Sequence, residues 1–333
     1  MKHVFVVHSH TVFLTALGTI NLLNISSDNI IFIYARNYKN SVVDIPYRIV
    51  NMTNENRKGA YMSVLHIFSY KKLINEVDQK IRRLINDEYV LYAPHAGSHF
   101  FQILLTNPMC VQFNFIQEGA LAFDELLSNK ISVKSVGYAI LNSVLYLFYK
   151  NRVWANFRWI LKESILKKYA SQSFAISPDI FEILPYTKKI VKWPSIQPPM
   201  DINPNYPCFV FEASVEMNVI ERSVYFDCIK ELLEIMSEAH NYAKFHPGQS
   251  VENKNAIKKL FINAGKSIEI LPDDIPFELY LSSYSHLKVY GFYSSLLIYA
   301  KQLGHTTFSL ENRLKQKSSR YVAWRKHMSE IGK

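Results

Sequence analysis

Glycine is scarce in this chain: 10 of 333 residues, about 3% where a globular protein carries ~7%. No two of them stand in the spacing of a dinucleotide fingerprint or a Walker A loop, which excludes a glycine-rich phosphate cradle as the organising chemistry. Cysteine is scarcer still. Cys110, Cys208 and Cys228 are far apart in apolar surroundings and form no CxxC pair, so neither a disulfide framework nor a zinc ribbon is indicated and a reducing compartment fits. Long apolar runs are also missing. The longest, Val136 to Tyr149, has 14 residues with Asn142 and Ser143 inside it, short of the ~20 a membrane span needs. The N-terminus, MKHVFVVHSH, is broken by His8, too short and polar for a signal-peptide core, and reads as a buried first strand. A soluble or membrane-surface protein follows.

What the chain does have is 49% hydrophobic and 14% aromatic residues, enough for two packed cores. Its formal charge of +10 is uneven: residues 126 to 192 carry a net +8 and 313 to 333 a net +6, while 1 to 125 is nearly neutral and 201 to 312 is acidic. A protein gripping nucleic acid along its length would spread its cations more widely. A local anionic partner is the better expectation.

Short apolar runs alternate with helical patterns, the signature of parallel strands with crossover helices. VFVV (4 to 7), NIIFIYA (29 to 35), YVLYA (89 to 93) and VQFNFI (111 to 116) read as strands, and Lys71 to Asn86, apolar on one face, reads as a helix. A basic, aromatic stretch from Ile131 to Ala170 precedes seven prolines between Pro178 and Pro207, where neither a long helix nor a central strand is expected. A second α/β pattern runs from CFVFEA (208 to 213) through helices near Ser223 to Ala239 and Asn253 to Ala264, the strand SIEIL (267 to 271), and a helix opened by Asp274 and Pro276. The expected division is a first Rossmann-like domain over 1–190, a linker over 191–207, a second over 208–312, and a basic C-terminal helix over 313–333. Ligands of such sheets sit at the carboxyl ends of the strands, here in a cleft between the two domains.

Four strand ends concentrate polar groups. Gln117-Glu118-Gly119 puts a carboxylate at the end of an apolar strand, where burial is expected to raise its pKa and suit it to general-base work. Lys244-Phe245-His246-Pro247-Gly248 alternates Lys244 and His246 onto one side of an extended segment, a pair able to hold a phosphate and stabilise a leaving group. Asp273-Asp274-Ile275-Pro276-Phe277-Glu278 looks like a capped helix start, with Glu278 one turn in and able to accept from ribose hydroxyls. Gly291-Phe292-Tyr293-Ser294-Ser295 opens an apolar helix on two hydroxyls, an anion site that needs no glycine loop. His95 and His99, in APHAGSHFF, are further candidates for the acceptor side, though core or turn histidines are the commoner case.

Taken in this order, the glutamate-glycine pair, the HP dipeptide and the paired serines resemble the D/E-D/E-G, HP and S/T motifs of the bacterial metal-independent sialyltransferases, the group of lipooligosaccharide sialyltransferases and capsular polysialyltransferases. His8-Ser9-His10-Thr11 leading into VFLTAL resembles the loop under which the donor sugar lies in those enzymes. The resemblance runs over essentially the whole chain on short motifs. It implies a GT-B fold, two Rossmann-like domains facing across a central cleft, and inverting transfer from CMP-sialic acid without a metal or other cofactor. It also implies roles: Glu118 as general base; His246 as general acid or phosphate stabiliser; Lys244, Pro247, Glu278, Ser294 and Ser295 as nucleotide ligands; Ser9, His10 and Thr11 on the donor sugar. Gln117 departs from the motif, where the family has an acid; if the chemistry requires one there, Asp124 or Glu125 become candidates.

The partners that follow are a CMP-sugar donor, a lipid-linked glycan acceptor and an anionic membrane surface, with no nucleic acid and with room for a homodimer. The cations and aromatics of 150 to 168 and of 320 to 326 would attach the protein to the inner face of the cytoplasmic membrane. Two rivals stand beside this reading: a transferase of another CMP-activated acid such as Kdo, and a non-catalytic anion or nucleic-acid binding protein.

Overall fold

The computed structural model describes residues 1–40, 43–61, 67–96, 98–118, 148–149, 152, 170–180 and 187–331. Gly119, Asp124, Glu125 and nearly all of the basic stretch from 150 to 168 lie outside them. The chain divides into two compact units, Met1–Trp193 and Pro194–Ile331.

The first unit is built on seven parallel strands: β1 (Lys2–Val7), β2 (Ile30–Tyr34), β3 (Arg48–Asn51), β4 (Tyr89–Ala93), β5 (Cys110–Ile116), β6 (Ala170–Ala175) and β7 (Thr187–Ile190). They lie in the order β3-β2-β1-β4-β5-β6-β7, with described crossover helices α1 (His10–Leu23), α2 (Thr53–Tyr61), α3 (Ile67–Ile85) and α4 (His99–Leu105). The central strands are apolar on both faces because helices cover both: Val4, Phe5, Val6 and Val7 of β1 are fully buried, as are the five residues of β4. The four strands expected from apolar runs are found. RIVN, ASQSFA and TKKI are strands that hydrophobicity does not announce, two of them at the sheet's edges, where polar side chains meet water.

The proline-rich stretch is not wholly a linker. Trp193 is buried and donates from Nε1 to Thr15 Oγ1 at 3.1 Å, and a Cβ at Gly18 of α1 would lie 2.5 Å from the Lys192 carbonyl oxygen. Only a glycine lets α1 come this close to the strap, which ties residues 191–193 to the first unit.

The second unit has five parallel strands, β8 (Cys208–Phe211), β9 (His240–Phe245), β10 (Ser267–Ile270), β11 (Lys288–Gly291) and β12 (Thr306–Ser309), in the order β10-β9-β8-β11-β12. The helices are α5 (Arg222–Ile235), α6 (Val251–Asn263), α7 (Phe277–Ser283), α8 (Ser295–Gln302), α9 (Glu311–Lys317) and α10 (Ser319–Ile331). Two expectations change here. Asp273 and Asp274 do not cap α7: its N-cap is Pro276, with no side-chain cap, and Asp273 instead pairs with Lys254 at 3.2 Å. The basic tail is two helices, and Tyr321 and Trp324 of α10 join the core cluster of this unit.

Candidate active site

In both sheets every strand points the same way, so loops far apart in sequence emerge side by side at the carboxyl edge. In the first unit that edge carries His8 after β1, Arg36 after β2, His95 after β4 and Glu118 after β5, four residues contributed by four neighbouring strands. Glu118 is their centre. Its Oε1 lies 3.0 Å from His8 Nε2 and 3.2 Å from an Arg36 guanidinium nitrogen, and its Oε2 lies 3.9 Å from His95 Nε2. Arg36 also approaches His95 Nε2 at 3.3 Å. A guanidinium can only donate, so that ring nitrogen accepts and His95 presents a lone pair toward the cluster.

The electrostatics reverse one expectation. Burial pushes the Glu118 carboxyl up, but the close approach and charge of His8, the charge of Arg36 and, in acid where its ring is protonated, that of His95 more than offset it and hold the group down at about 2. The raised pKa expected for a buried strand-end carboxylate is therefore corrected: Glu118 stays ionised, because the other strand ends supply cations and donors. Burial, together with the Arg36 and His8 charges and against the attraction of Glu118, lowers His95 to about 4 and keeps its ring neutral.

Gln117 is fully buried and points the other way. Its side-chain oxygen accepts from the Ile176 amide at 2.9 Å, joining the ends of β5 and β6. An acid at this position would face the interior, so the departure from the motif falls on a structural residue. Of the remaining first-unit candidates, Ser9 is the N-cap of α1, with its hydroxyl accepting from Val12 at 3.4 Å. His10 Nδ1 meets the Tyr38 hydroxyl at 3.2 Å, Thr11 is buried, and His99 Nδ1 is held by the Gly59 carbonyl and the Tyr70 hydroxyl.

The second unit gathers His246, Pro247 and Gly248 after β9, Glu278 beyond β10, and Ser294 and Ser295 after β11. His246 is exposed, and its Nδ1 accepts from the Gly248 amide at 3.0 Å. That bond leaves Nε2 to carry the proton, as a donor toward an anionic ligand requires. Ser294 is the N-cap of α8 and accepts from Leu296 at 3.2 Å; Ser295 is the exposed first residue of that helix. Pro247 is exposed in the turn between His246 and Gly248.

Lys244 is placed differently from the expected phosphate-holding pair. It is buried and donates to the carbonyls of Pro272 and Ile275, so its ammonium shapes the loop that leads to Glu278. Burial lowers its pKa, opposed by the charges of Asp273, Glu278 and Asp274.

Sequence reading passes over Glu212, the first residue beyond β8. The order of this sheet reverses between β8 and β11, and ligands of open α/β sheets sit at such a switch point. The backbone amides of Glu212, Phe292 and Tyr293 face the Glu212 carboxyl, but none closes a hydrogen bond of good geometry. Burial pushes its pKa up to about 7, and these amides only moderate the rise.

The loop bearing the serines is braced on several sides. A Cβ at Gly291 would lie 2.8 Å from Val210 Cγ2 and 3.0 Å from the Val210 carbonyl oxygen, so only glycine lets β11 end there. Tyr225 stacks on Phe292 at 4.6 Å, and the Ser309 hydroxyl donates to the Phe292 carbonyl at 2.6 Å. Arg325 of α10 lies 3.8 Å over the Tyr293 ring.

Comparison with solved structures places this architecture. A protein from Listeria monocytogenes assigned as a UDP-N-acetylglucosamine 2-epimerase shares the fold over all of this chain and 90% of its own, at 10% identity and a TM-score of 0.50. A sialyltransferase from Photobacterium damsela aligns over 99% of this chain and 79% of its own, at 13% identity and a TM-score of 0.49. The two parallel-sheet α/β units are those of a GT-B protein. The family model described as alpha-2,8-polysialyltransferase (POLYST) matches residues 40–310, most of the chain, and the protein belongs to that family of sialyltransferases. No curated protein sequence matches it.

Proposed function

We propose that the protein transfers sialic acid from CMP-sialic acid to a glycan acceptor, inverting the anomeric centre and using no metal, and that the family's α2,8 linkage makes sialylated glycans the acceptors of first choice. The observation that carries the reading is Glu118, an ionised carboxylate held at four strand ends in a chain that belongs to the polysialyltransferase family. Inverting transfer needs a base for the acceptor hydroxyl and stabilisation of the departing phosphate. Glu118 takes the first role. A carboxylate held near 2 is a weak base, however, and an acceptor that displaces the half-exposed Arg36 guanidinium removes one of the charges that hold it down.

In the second unit, His246 Nε2 donates to the CMP phosphate as charge develops on it, and the first turn of α8 with Ser294 and Ser295 receives the same group. Glu278 accepts from the ribose. CMP has one phosphate, for which a histidine and a helix start suffice without a divalent ion. Within the donor class, other CMP-activated acids are separated by thermal shift with each CMP-sugar.

Membrane attachment, and with it a lipid-linked acceptor, is supported by the basic 126–192 segment more than by the tail. There Arg313 and Lys317 pair with Glu231, Lys315 and Arg325 with Glu311, and Arg320 with Glu221. No helix among the described residues is long and apolar enough to cross a membrane.

The deciding experiment incubates the full chain with CMP-sialic acid, EDTA and a panel of oligosialylated and galactoside acceptors. CMP release with a sialylated product is expected. Neither transfer nor slow donor hydrolysis with any acceptor would overturn the proposal.

A further inference from the structure

His8, His95 and Glu118 are also the donor set of a transition-metal site. Each offers one ligand atom, and these atoms lie within 4.8 Å of one another. Zinc bound at ~2.0–2.2 Å by imidazole and carboxylate spreads its donors a little over 3 Å apart. The 3.0 Å and 3.9 Å separations, from His8 and His95 to the two Glu118 oxygens, lie on either side of that spacing, and the 4.8 Å limit on the whole set leaves the side chains to close on the ion by about an ångström.

The pairing of Arg36 shows that the cluster already faces a cation. The guanidinium is held by Glu118 Oε1 and by the lone pair of His95 Nε2, two of the three atoms a metal would use. It is also the most exposed member, with a side chain 48% accessible against 2% for His8, 15% for His95 and 17% for Glu118. Arg36 can therefore leave toward water while the three ligands stay in place on their strand ends. Two imidazoles and one carboxylate select zinc, nickel or cobalt over magnesium or calcium, which prefer all-oxygen sites.

We infer that His8, His95 and Glu118 bind one divalent transition-metal ion of the zinc type in competition with the Arg36 side chain. The ion takes the carboxylate that would accept the acceptor's proton, which makes it an inhibitor of transfer. Only that last consequence rests on the proposed role of Glu118.

The test uses the full chain, untagged and metal-stripped, titrated with Co²⁺ followed by visible absorption and with Zn²⁺ by calorimetry. One equivalent should saturate the spectrum. His95→Ala removes a direct ligand and should weaken binding by more than the ~10–100-fold that loss of an outer-shell partner costs. Arg36→Ala, at an exposed loop position that no core packing depends on, should bind several-fold more tightly. His246→Ala, in the other unit, should lower transfer yet keep the wild-type metal affinity. Equal affinity in wild type and His95→Ala, or weaker binding in Arg36→Ala, overturns the site. Binding that leaves transfer undisturbed would instead remove Glu118 from the role of base while the metal site stands.

Discussion

Glu118 and Glu212 leave the carboxyl ends of parallel strands, one in each unit, and desolvation is the largest influence on both; yet one is held at about 2 and the other at about 7. The difference lies in what the neighbouring strand ends carry. Around Glu118 they bring His8, Arg36 and His95; around Glu212 the end of β11 brings only the backbone amides of Phe292 and Tyr293. Burial alone penalises a carboxylate, and only a partner of opposite charge reverses the sign. A strand-end acid is thus no fixed chemical type. The first unit has made one into a permanent anion, the second into a group that takes up a proton near neutrality.

The largest expected effect tests the anion. Glu118→Gln keeps the shape and removes the charge, and transfer from CMP-sialic acid should fall by about 10²–10⁴-fold with the melting curve still cooperative. A rate like that of wild type would move the base elsewhere and dissolve the functional half of the contrast. His246→Ala should lower kcat by about 10²-fold or more, with a smaller change in KM, because its Nε2–H acts on charge that develops as the phosphate departs. Steady-state kinetics separate the two parameters, and a change in KM alone would reduce His246 to a ground-state ligand.

Next come effects on stability. Gly291→Ala drives a methyl into Val210, and unfolding in denaturant should show a loss of about 1–3 kcal/mol, together with weaker CMP binding.

The pH dependence sharpens the comparison most directly. Glu212 has a folded-state pKa above the ~4.3 of an unfolded glutamate, so the folded protein binds the extra proton. Its contribution is whole below about pH 4 and is lost as pH rises through about 7. Glu118 has the opposite sign, contributing above about pH 4.3 and losing that contribution as pH falls toward 2. Glu212→Gln, a mimic of the neutral acid, should flatten the stability slope between pH 5 and 7.5 and leave the variant more stable than wild type at the upper end, by roughly 1–3 kcal/mol. An unchanged slope would mean that Glu212 stays ionised. The smallest effect is expected from Arg325→Ala, which lifts a guanidinium off Tyr293. Calorimetry should find CMP bound a few-fold more weakly, about 1 kcal/mol, and no change would show that the tail helix does not position the serine loop.

Much of the fold was legible along the chain. The buried strands β1, β2, β4, β5 and β8 are apolar on both faces, and amphipathic spacing marked α3, which begins only four residues before the expected Lys71. The short polar strands β3 and β7 were not, since at a sheet edge the hydrogen-bond ladder does the holding and leaves little trace in composition. Of the site, the sequence alone pointed to Glu118, His246, Ser294 and Ser295, because each follows an apolar run and precedes a turn or a helix start. It gave no grounds for grouping His8, Arg36 and His95 with Glu118, and it misjudged the direction of the Glu118 pKa.

The pattern of apolar runs determined that there would be two parallel-sheet units and which residues would stand at their strand ends, since burying both faces of a strand is a requirement that acts locally. Which strand ends became neighbours was decided by the sheet order, through hydrogen bonds between segments far apart in sequence. Charge acts through space over a few ångströms and takes no account of sequence separation. The same residue type could therefore become an ionised carboxylate at position 118 and a proton-binding one at position 212.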